Sequence, residues 1–257
     1  MRMIEAVLLG IVQGLTEFLP VSSTGHLIVA RWLFGWQGAL DSLTFDIALH
    51  AGTFLSLLIC LWRDILDILG GKWRLLALLA VGTIPAGIAG VLFEETVENT
   101  LRSPYIVVFT LVAFGIVMLV AERFKKVRGM EDLRASDALL IGLAQAVALM
   151  PGVSRSGITI SAALMLGLHR EAGARFSFLL SMPVIAGAGF LAGKELIQSP
   201  EGHDAGLFIS GFIASAVAGT LAIKFLLGYL KRHPLNAFAY YRFALAAFMA
   251  GVIWVRG

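Results

Sequence analysis

The stretch Gln13-Gly14-Leu15-Thr16-Glu17-Phe18-Leu19-Pro20-Val21-Ser22-Ser23-Thr24-Gly25-His26 decides the fold. It sets a carboxylate, a proline, a run of hydroxyls and an imidazole in the middle of an apolar segment, Ile4 to Phe34. An ionisable group in hydrocarbon costs about 2.5 to 3.5 kcal/mol on insertion scales, so Glu17 and His26 need a partner or a task there. A second stretch of the same kind, Pro151-Gly152-Val153-Ser154-Arg155-Ser156-Gly157-Ile158-Thr159, interrupts Ala138 to Gly167 and brings in Arg155. As a helix, Ile4 to Leu19 would rise only about 24 Å, against a hydrocarbon core of about 30 Å, and the part after the break is shorter still. Both regions are expected to be re-entrant helical hairpins. Non-helical backbone survives at membrane depth only where protein or a water-filled cavity satisfies it, so the two breaks should line one internal pocket.

Around these hairpins run six apolar segments that approach a crossing of about 20 residues: Thr44 to Trp62, Leu75 to Phe93, Tyr105 to Ala121, Phe176 to Ala192, Leu207 to Leu227 and Phe238 to Val255. Hydrophobic residues make up 58% of the chain and charged ones 14%, against about 45 to 50% and about 25% in soluble domains. The expected class is therefore all-α integral membrane, with six transmembrane helices plus two re-entrant helical hairpins. With no linker or low-complexity tract, residues 1–257 read as a single polytopic domain. The first twenty residues do not read as a cleaved signal, because Gln13 and Glu17 break the apolar centre.

The two halves also resemble each other. Leu9-Gly10-Ile11-Val12-Gln13 matches Ile141-Gly142-Leu143-Ala144-Gln145, and each glutamine is followed at the same distance by hydroxyls and a glycine, Gly25 or Gly157. Repeat 1 covers about 1–121 and repeat 2 about 137–257. Each hairpin leads into three crossings, an odd number, so the second copy enters from the opposite side, which makes an inverted-topology repeat whose tips can meet near the midplane. The connectors carrying Arg63, Lys72 and Arg74, then Arg123, Lys125, Lys126, Arg128 and Arg134, then Lys231 and Arg232, are basic and read as cytoplasmic. Those with Glu94, Glu95 and Glu98, or with Glu201 and Asp204, read as external. The net charge of +3 is explained by these connectors, and a nucleic-acid partner is excluded. Cys60 is the only cysteine, which excludes an intrachain disulfide or a cysteine-rich metal site.

Gln13 and Glu17, four apart, share one helix face. A carboxylate and an amide oxygen are hard donors that suit Mg²⁺ or Ca²⁺ better than zinc; the alternative is a polar stripe bonded to a neighbouring helix. Ser22 reads as a helix cap. Ser23 and His26 are the minimal pairing of a nucleophile with an acid/base, and Thr24 adds a hydroxyl. In the second cluster, Ser154, Ser156 and Thr159 with Arg155 and the N–H groups at a helix start make an anion site, because the planar guanidinium binds two phosphate oxygens at once. Alternatively Arg155 pairs with Glu17 as a salt bridge between the hairpins, and both can hold in the empty site. His50, one turn beyond Asp46, reads as packing, with Asp46 at the external mouth. Lys224 and Arg242 are expected to snorkel toward the cytoplasmic interface. The group His169, Arg170, Glu171 and Arg175 is expected to anchor at the membrane surface.

At these residues the chain resembles the undecaprenyl-diphosphate phosphatase family, also called the bacitracin resistance protein family. The likeness runs end to end and rests on two motifs: the element from 13 to 26 leading into Pro-Val-Ser-Ser-Thr-Gly-His, and Pro-Gly-x-Ser-Arg-Ser-Gly-x-Thr at 151 to 159. The resemblance implies hydrolysis of undecaprenyl diphosphate to the monophosphate carrier lipid used for peptidoglycan, in the bacterial inner membrane, with the site open to the outer face. It also implies importance for Gln13, Glu17, Ser23, His26, Ser154, Arg155 and Thr159. One departure stands out: Gln13 occupies a position where many relatives carry glutamate, leaving Glu17 the only carboxylate of that element.

The expected chemistry is phosphoryl transfer, which needs positioning and neutralisation of charge more than anything else. Catalytic expectations fall on Ser23, His26, Glu17 and Arg155, and phosphate binding on Arg155, Ser154, Ser156, Thr159 and Thr24. A divalent cation is expected on Glu17 and Gln13. Ser23 is taken as the attacking group over His26. Expected partners are undecaprenyl diphosphate, bilayer lipid and a second copy in a homodimer. A flippase of the prenyl phosphate lipid is the competing function, since inverted repeats are also transporter architecture.

Overall fold

The computed structural model describes residues 2–36, 40, 42–99, 103–198 and 205–256. Its named elements are helices: α1 (Arg2–Phe18), α2 (Ser23–Phe34), α3 (Leu43–Cys60), α4 (Trp62–Leu69), α5 (Trp73–Asn99), α6 (Pro104–Ala121), α7 (Ala135–Val147), α8 (Arg155–Met165), α9 (Arg170–Gln198), α10 (Ala205–Leu230) and α11 (Asn236–Arg256), with one 3-10 turn at Met130–Asp132. The two interrupted regions each form a pair of short helices, α1–α2 and α7–α8, broken at their Pro-containing sequences.

Among the described residues, four helical stretches are long and apolar enough to cross a bilayer: Trp73–Phe93, Pro104–Ala121, Ala205–Leu230 and Asn236–Val255. The segment expected at Thr44 to Trp62 is a helix over Thr44–Cys60, with a bend only at its end. Thr44–Cys60 and Trp62–Leu69 meet at 70° around Leu61, and the second piece carries Arg63, Asp64 and Asp67 on a polar face. Phe176 to Ala192 lies within α9, which is not among the four. Glu201 and Asp204 lie outside the described residues, as do the side chains of Glu94, Glu95 and Glu98.

Small residues set how closely the helices approach. On α1, a Cβ added at Gly10 would lie 2.5 Å from the Gly211 carbonyl oxygen of α10, and one at Gly14 the same 2.5 Å from that of Ser215. In the other half, Gly142 of α7 meets the backbone of Gly82 on α5. In lipid no hydrophobic force drives helices together, so such backbone contact and interhelical hydrogen bonds must do so. Two of those bonds join α3 to α10: Ser215 Oγ donates to the Leu49 carbonyl at 2.8 Å and Ser56 Oγ to that of Ala216 at 2.9 Å. The first helix of each pair thus packs on a long helix from the opposite half of the chain.

One end of the bundle collects the basic connectors. Arg74 bonds the carbonyls of Glu131 and Leu133, while Glu122, just past α6, accepts from the Leu235 N–H at 2.9 Å, ahead of α11. Within the group expected as a membrane-surface anchor, Arg170 and Arg175 each pair with a carboxylate of the protein. Arg170 Nη2 lies 2.6 Å from Glu122 Oε2, and Arg175 makes two 2.9 Å bonds to Asp64 on α4. Both carboxylates meet the guanidinium groups in the bidentate geometry that makes such pairs strong.

Candidate active site

Both breaks solve the same local problem in the same way. Ser22 and Ser154 have φ of 78° and 71° and are the non-glycine residues with positive φ among those described. Each hydroxyl oxygen then accepts from the N–H three residues on, Gly25 at 3.4 Å and Gly157 at 3.2 Å, which caps α2 and α8. A non-glycine residue in such a conformation costs about 1 to 3 kcal/mol and persists only where its surroundings over-determine it. Gly152, at φ 90°, has no room for a Cβ against Thr110 and the Val107 carbonyl.

The starts of α2 and α8 face one small polar pocket, walled by Glu17, Ser23, Thr24, His50, Ser154 and Arg155 among others. Its volume of about 70 Å³ suits a phosphate head group. Glu17 is the hub. Its side chain is 4% exposed; Oε2 accepts from Ser23 Oγ at 2.7 Å and from Gln13 Nε2 at 3.0 Å, and Oε1 from Arg155 Nη2 at 2.5 Å. The salt bridge between hairpins that the sequence offered as the second role of Arg155 is therefore formed. Ser23 and Arg155, from the two halves, grip the same carboxylate.

Other expected residues are placed differently. His26 does not bond Ser23: its Nδ1 is 2.6 Å from the Ser22 carbonyl oxygen and its Nε2 is 2.7 Å from Tyr241 Oη. A serine at the helix start and a histidine one turn on share a helix, yet Ser23 turns back to Glu17 in the same hairpin and His26 reaches Tyr241 across the fold. Ser156 Oγ donates to the Leu19 carbonyl at 3.3 Å, and Thr159 Oγ1 lies 2.6 Å from Ser177 Oγ and donates to the Arg155 carbonyl at 2.7 Å. These two hydroxyls are spent on joining α8 to α1 and α9, and neither lines the pocket. Thr24 and Ser154 do line it.

Two residues set aside in the sequence lie close to the chemistry. His50 bonds the Asp46 carbonyl through Nδ1 at 2.8 Å and presents Nε2 to the pocket, 3.8 Å from Glu17 Oε2. Asp46 itself pairs with Arg31. Arg242 does not snorkel: it is fully buried, and donates to the carbonyls of Leu111 at 3.2 Å, Thr110 at 3.2 Å and Gly152 at 2.7 Å. It ties α11 and α6 to the second break. An arginine near the end of an apolar run has the same local sequence whether it faces headgroups or carbonyls, so only an unfilled carbonyl across the fold distinguishes the two.

The fold and this pocket define a class: a multi-pass, all-helical membrane protein whose internal site joins a serine, a carboxylate and an arginine at the starts of two short helices. The family model described as Bacitracin resistance protein BacA matches residues 6–248, and the chain belongs to that family. It is 52% identical over 245 residues, 95% of each chain, to a protein of Thermodesulfovibrio yellowstonii named Undecaprenyl-diphosphatase. Proteins of the same name from Rubrobacter xylanophilus and Moorella thermoacetica are 46% and 45% identical, over 98% and 100% of this chain and 99% and 100% of theirs.

Proposed function

We propose that this chain is an undecaprenyl-diphosphate phosphatase, releasing the terminal phosphate of undecaprenyl diphosphate and returning the monophosphate for reuse in peptidoglycan synthesis. The observation that carries the reading is the shared grip of Ser23 and Arg155 on Glu17: a hydroxyl nucleophile and a fixed cation stand within reach of one phosphate. The full-length relatives of that name support it. The small pocket takes the diphosphate, and the prenyl chain lies among apolar helix faces and lipid.

In this mechanism the diphosphate draws Arg155 from Glu17 onto its own oxygens. The carboxylate, relieved of that guanidinium, keeps its hydrogen bonds from Ser23 and Gln13 and accepts the serine proton. Ser23 Oγ forms a bond to the terminal phosphorus while the bridging P–O bond breaks, and undecaprenyl phosphate leaves. Water then cleaves the phosphoserine, giving inorganic phosphate and restoring the hydroxyl. Arg155, Thr24, Ser154 and the N–H groups at the starts of α2 and α8 neutralise charge on the transferring group, which is the largest contribution such a site can make.

A divalent cation belongs to this reading. Glu17 and Gln13 Oε1, a buried oxygen without a partner, are hard donors. With no cluster of three or more His, Cys, Asp or Glu among the described residues, the remaining ligands would be phosphate oxygens and water, as suits Mg²⁺. Bound, the ion would neutralise diphosphate charge. We assign the topology as six crossings and two re-entrant hairpins in one domain, with inverted repeats over about 1–121 and 137–257. The reciprocal packing of α1 on α10 and α7 on α5 supports the repeats, and the gathering of basic connectors at one end supports a cytoplasmic face there. The pocket then opens to the outer face of the inner membrane, and a homodimer is the expected assembly.

Phosphate release from a prenyl diphosphate in detergent tests the reading, on wild type, Ser23→Ala, His26→Ala and Arg155→Ala, with and without chelator. A flippase that does no hydrolysis gives no phosphate without a bilayer, and that result from wild type would refute the proposal.

A further inference from the structure

A histidine one turn from a serine can serve it only if a ring nitrogen is free, and neither nitrogen of His26 is. A carbonyl oxygen only accepts, so in the neutral ring Nδ1 carries the proton toward Ser22, and Nε2 accepts from the Tyr241 hydroxyl. The two rings lie nearly parallel, 6° between planes with centroids 5.6 Å apart. Tyr241 is on α11, 215 residues away in the chain. The carbonyl that receives the ring proton belongs to the strained Ser22, φ 78°, and the next residue is Ser23, whose hydroxyl reaches Glu17.

We propose that Tyr241 is a positioning residue for this site. Its hydroxyl holds the imidazole of His26 against the Ser22 carbonyl, and through that contact keeps Ser22 in its positive-φ conformation and Ser23 aimed at Glu17. The second break has a counterpart. Its position equivalent to His26 is Ile158, which offers no ring nitrogen, and there Arg242 holds the Gly152 carbonyl at 2.7 Å instead. Adjacent residues of α11 thus brace the backbone of both breaks, one through an imidazole and one directly.

The kinetic part of this inference rests on Ser23 as the attacking group; its spectroscopic part does not. Tyr241→Phe keeps the ring stack and removes only the hydroxyl. The expected result is a fall of about tenfold in kcat with KM unchanged, the size typical of losing a contact that orients a site residue. The Nε2 resonance of His26 in nitrogen-15 histidine spectra, identified by its disappearance in His26→Gln, should shift. Resonances of His169 and His233, outside the pocket lining, should stay put and show the fold intact. Because the tyrosine acts through the imidazole, Tyr241→Phe added to His26→Gln should cost nothing further. Losses that multiply in the double variant overturn the proposal, as does wild-type kcat with an unmoved His26 resonance. A wild type that releases no phosphate defeats the phosphatase reading, and the resonance alone then decides whether Tyr241 holds the ring.

Discussion

Replacing Arg155 with alanine separates two roles that the structure assigns to one guanidinium. Arg155 neutralises Glu17 across the hairpins at 2.5 Å, with the carboxylate side chain 4% exposed and the arginine side chain 21%. Removing one partner of a buried pair leaves an uncompensated charge, at a cost of about 3 to 5 kcal/mol. The partial exposure of Arg155 lets solvent screen the pair, which argues for about 3 kcal/mol, the low end. In the reacting site the same group neutralises the phosphates, and losing one such donor lowers kcat by about 10² to 10³. The two effects come apart in Arg155→Ala with Glu17→Gln. That double variant has no buried charge to strand, so the unfolding midpoint in detergent, followed by tryptophan fluorescence, should recover most of its loss. Phosphate release should not recover, since both the cation and the base are gone. Recovery of turnover together with stability would refute the reasoning, because Arg155 would then be a structural cation only. An Arg155→Ala protein as stable and active as wild type would refute both roles.

Trapping with substrate labelled at the terminal phosphate should place label on Ser23 and none in Ser23→Ala; label on His26, or on no residue, rejects the serine mechanism. Gly14→Leu should disrupt the α1–α10 contact, where even a Cβ would sit 2.5 Å from the Ser215 carbonyl oxygen. Thermal unfolding should show a loss of several kcal/mol, and an unchanged midpoint would mean that the contact carries no weight. Glu122 gives a pH test outside the spans. Burial raises its carboxyl, but hydrogen bonds from Arg170 and the Leu235 N–H, the charge of Arg170 and Lys126 outweigh that and hold it below the ordinary carboxylate value. Its folded pKa is thus lower than its unfolded one, so its stabilisation is complete above the ordinary value and is lost as pH falls through the folded one. Glu122→Gln should be less stable than wild type at neutral pH and converge with it in acid; a gap that stays constant with pH would contradict this. Chelation should lower wild-type turnover if a divalent ion accompanies the diphosphate, and undiminished release would remove the ion from the mechanism.

The features legible from the chain alone lie within a helical turn or two of each residue. Its apolar content and basic connectors made the chain a membrane protein. Pro20 and Pro151-Gly152 broke two helices, Ser22 supplied a cap, and the single carboxylate and single arginine of the two motifs offered each other as partners. Local propensity, capping and the cost of charge in hydrocarbon need no knowledge of distant residues, so they can be read from spacing. The tertiary structure alone decided which partner each polar group took. Ser23 turned to Glu17 while His26 turned to Tyr241; Ser156 and Thr159 were drawn into helix contacts; His50 entered the pocket wall and Arg242 was buried on carbonyls. Each of these side chains had several chemically equal partners available along the chain. The choice depended on which helix lay within about 3 Å, and hydrogen bonds weaken too steeply with distance and angle for composition to predict it.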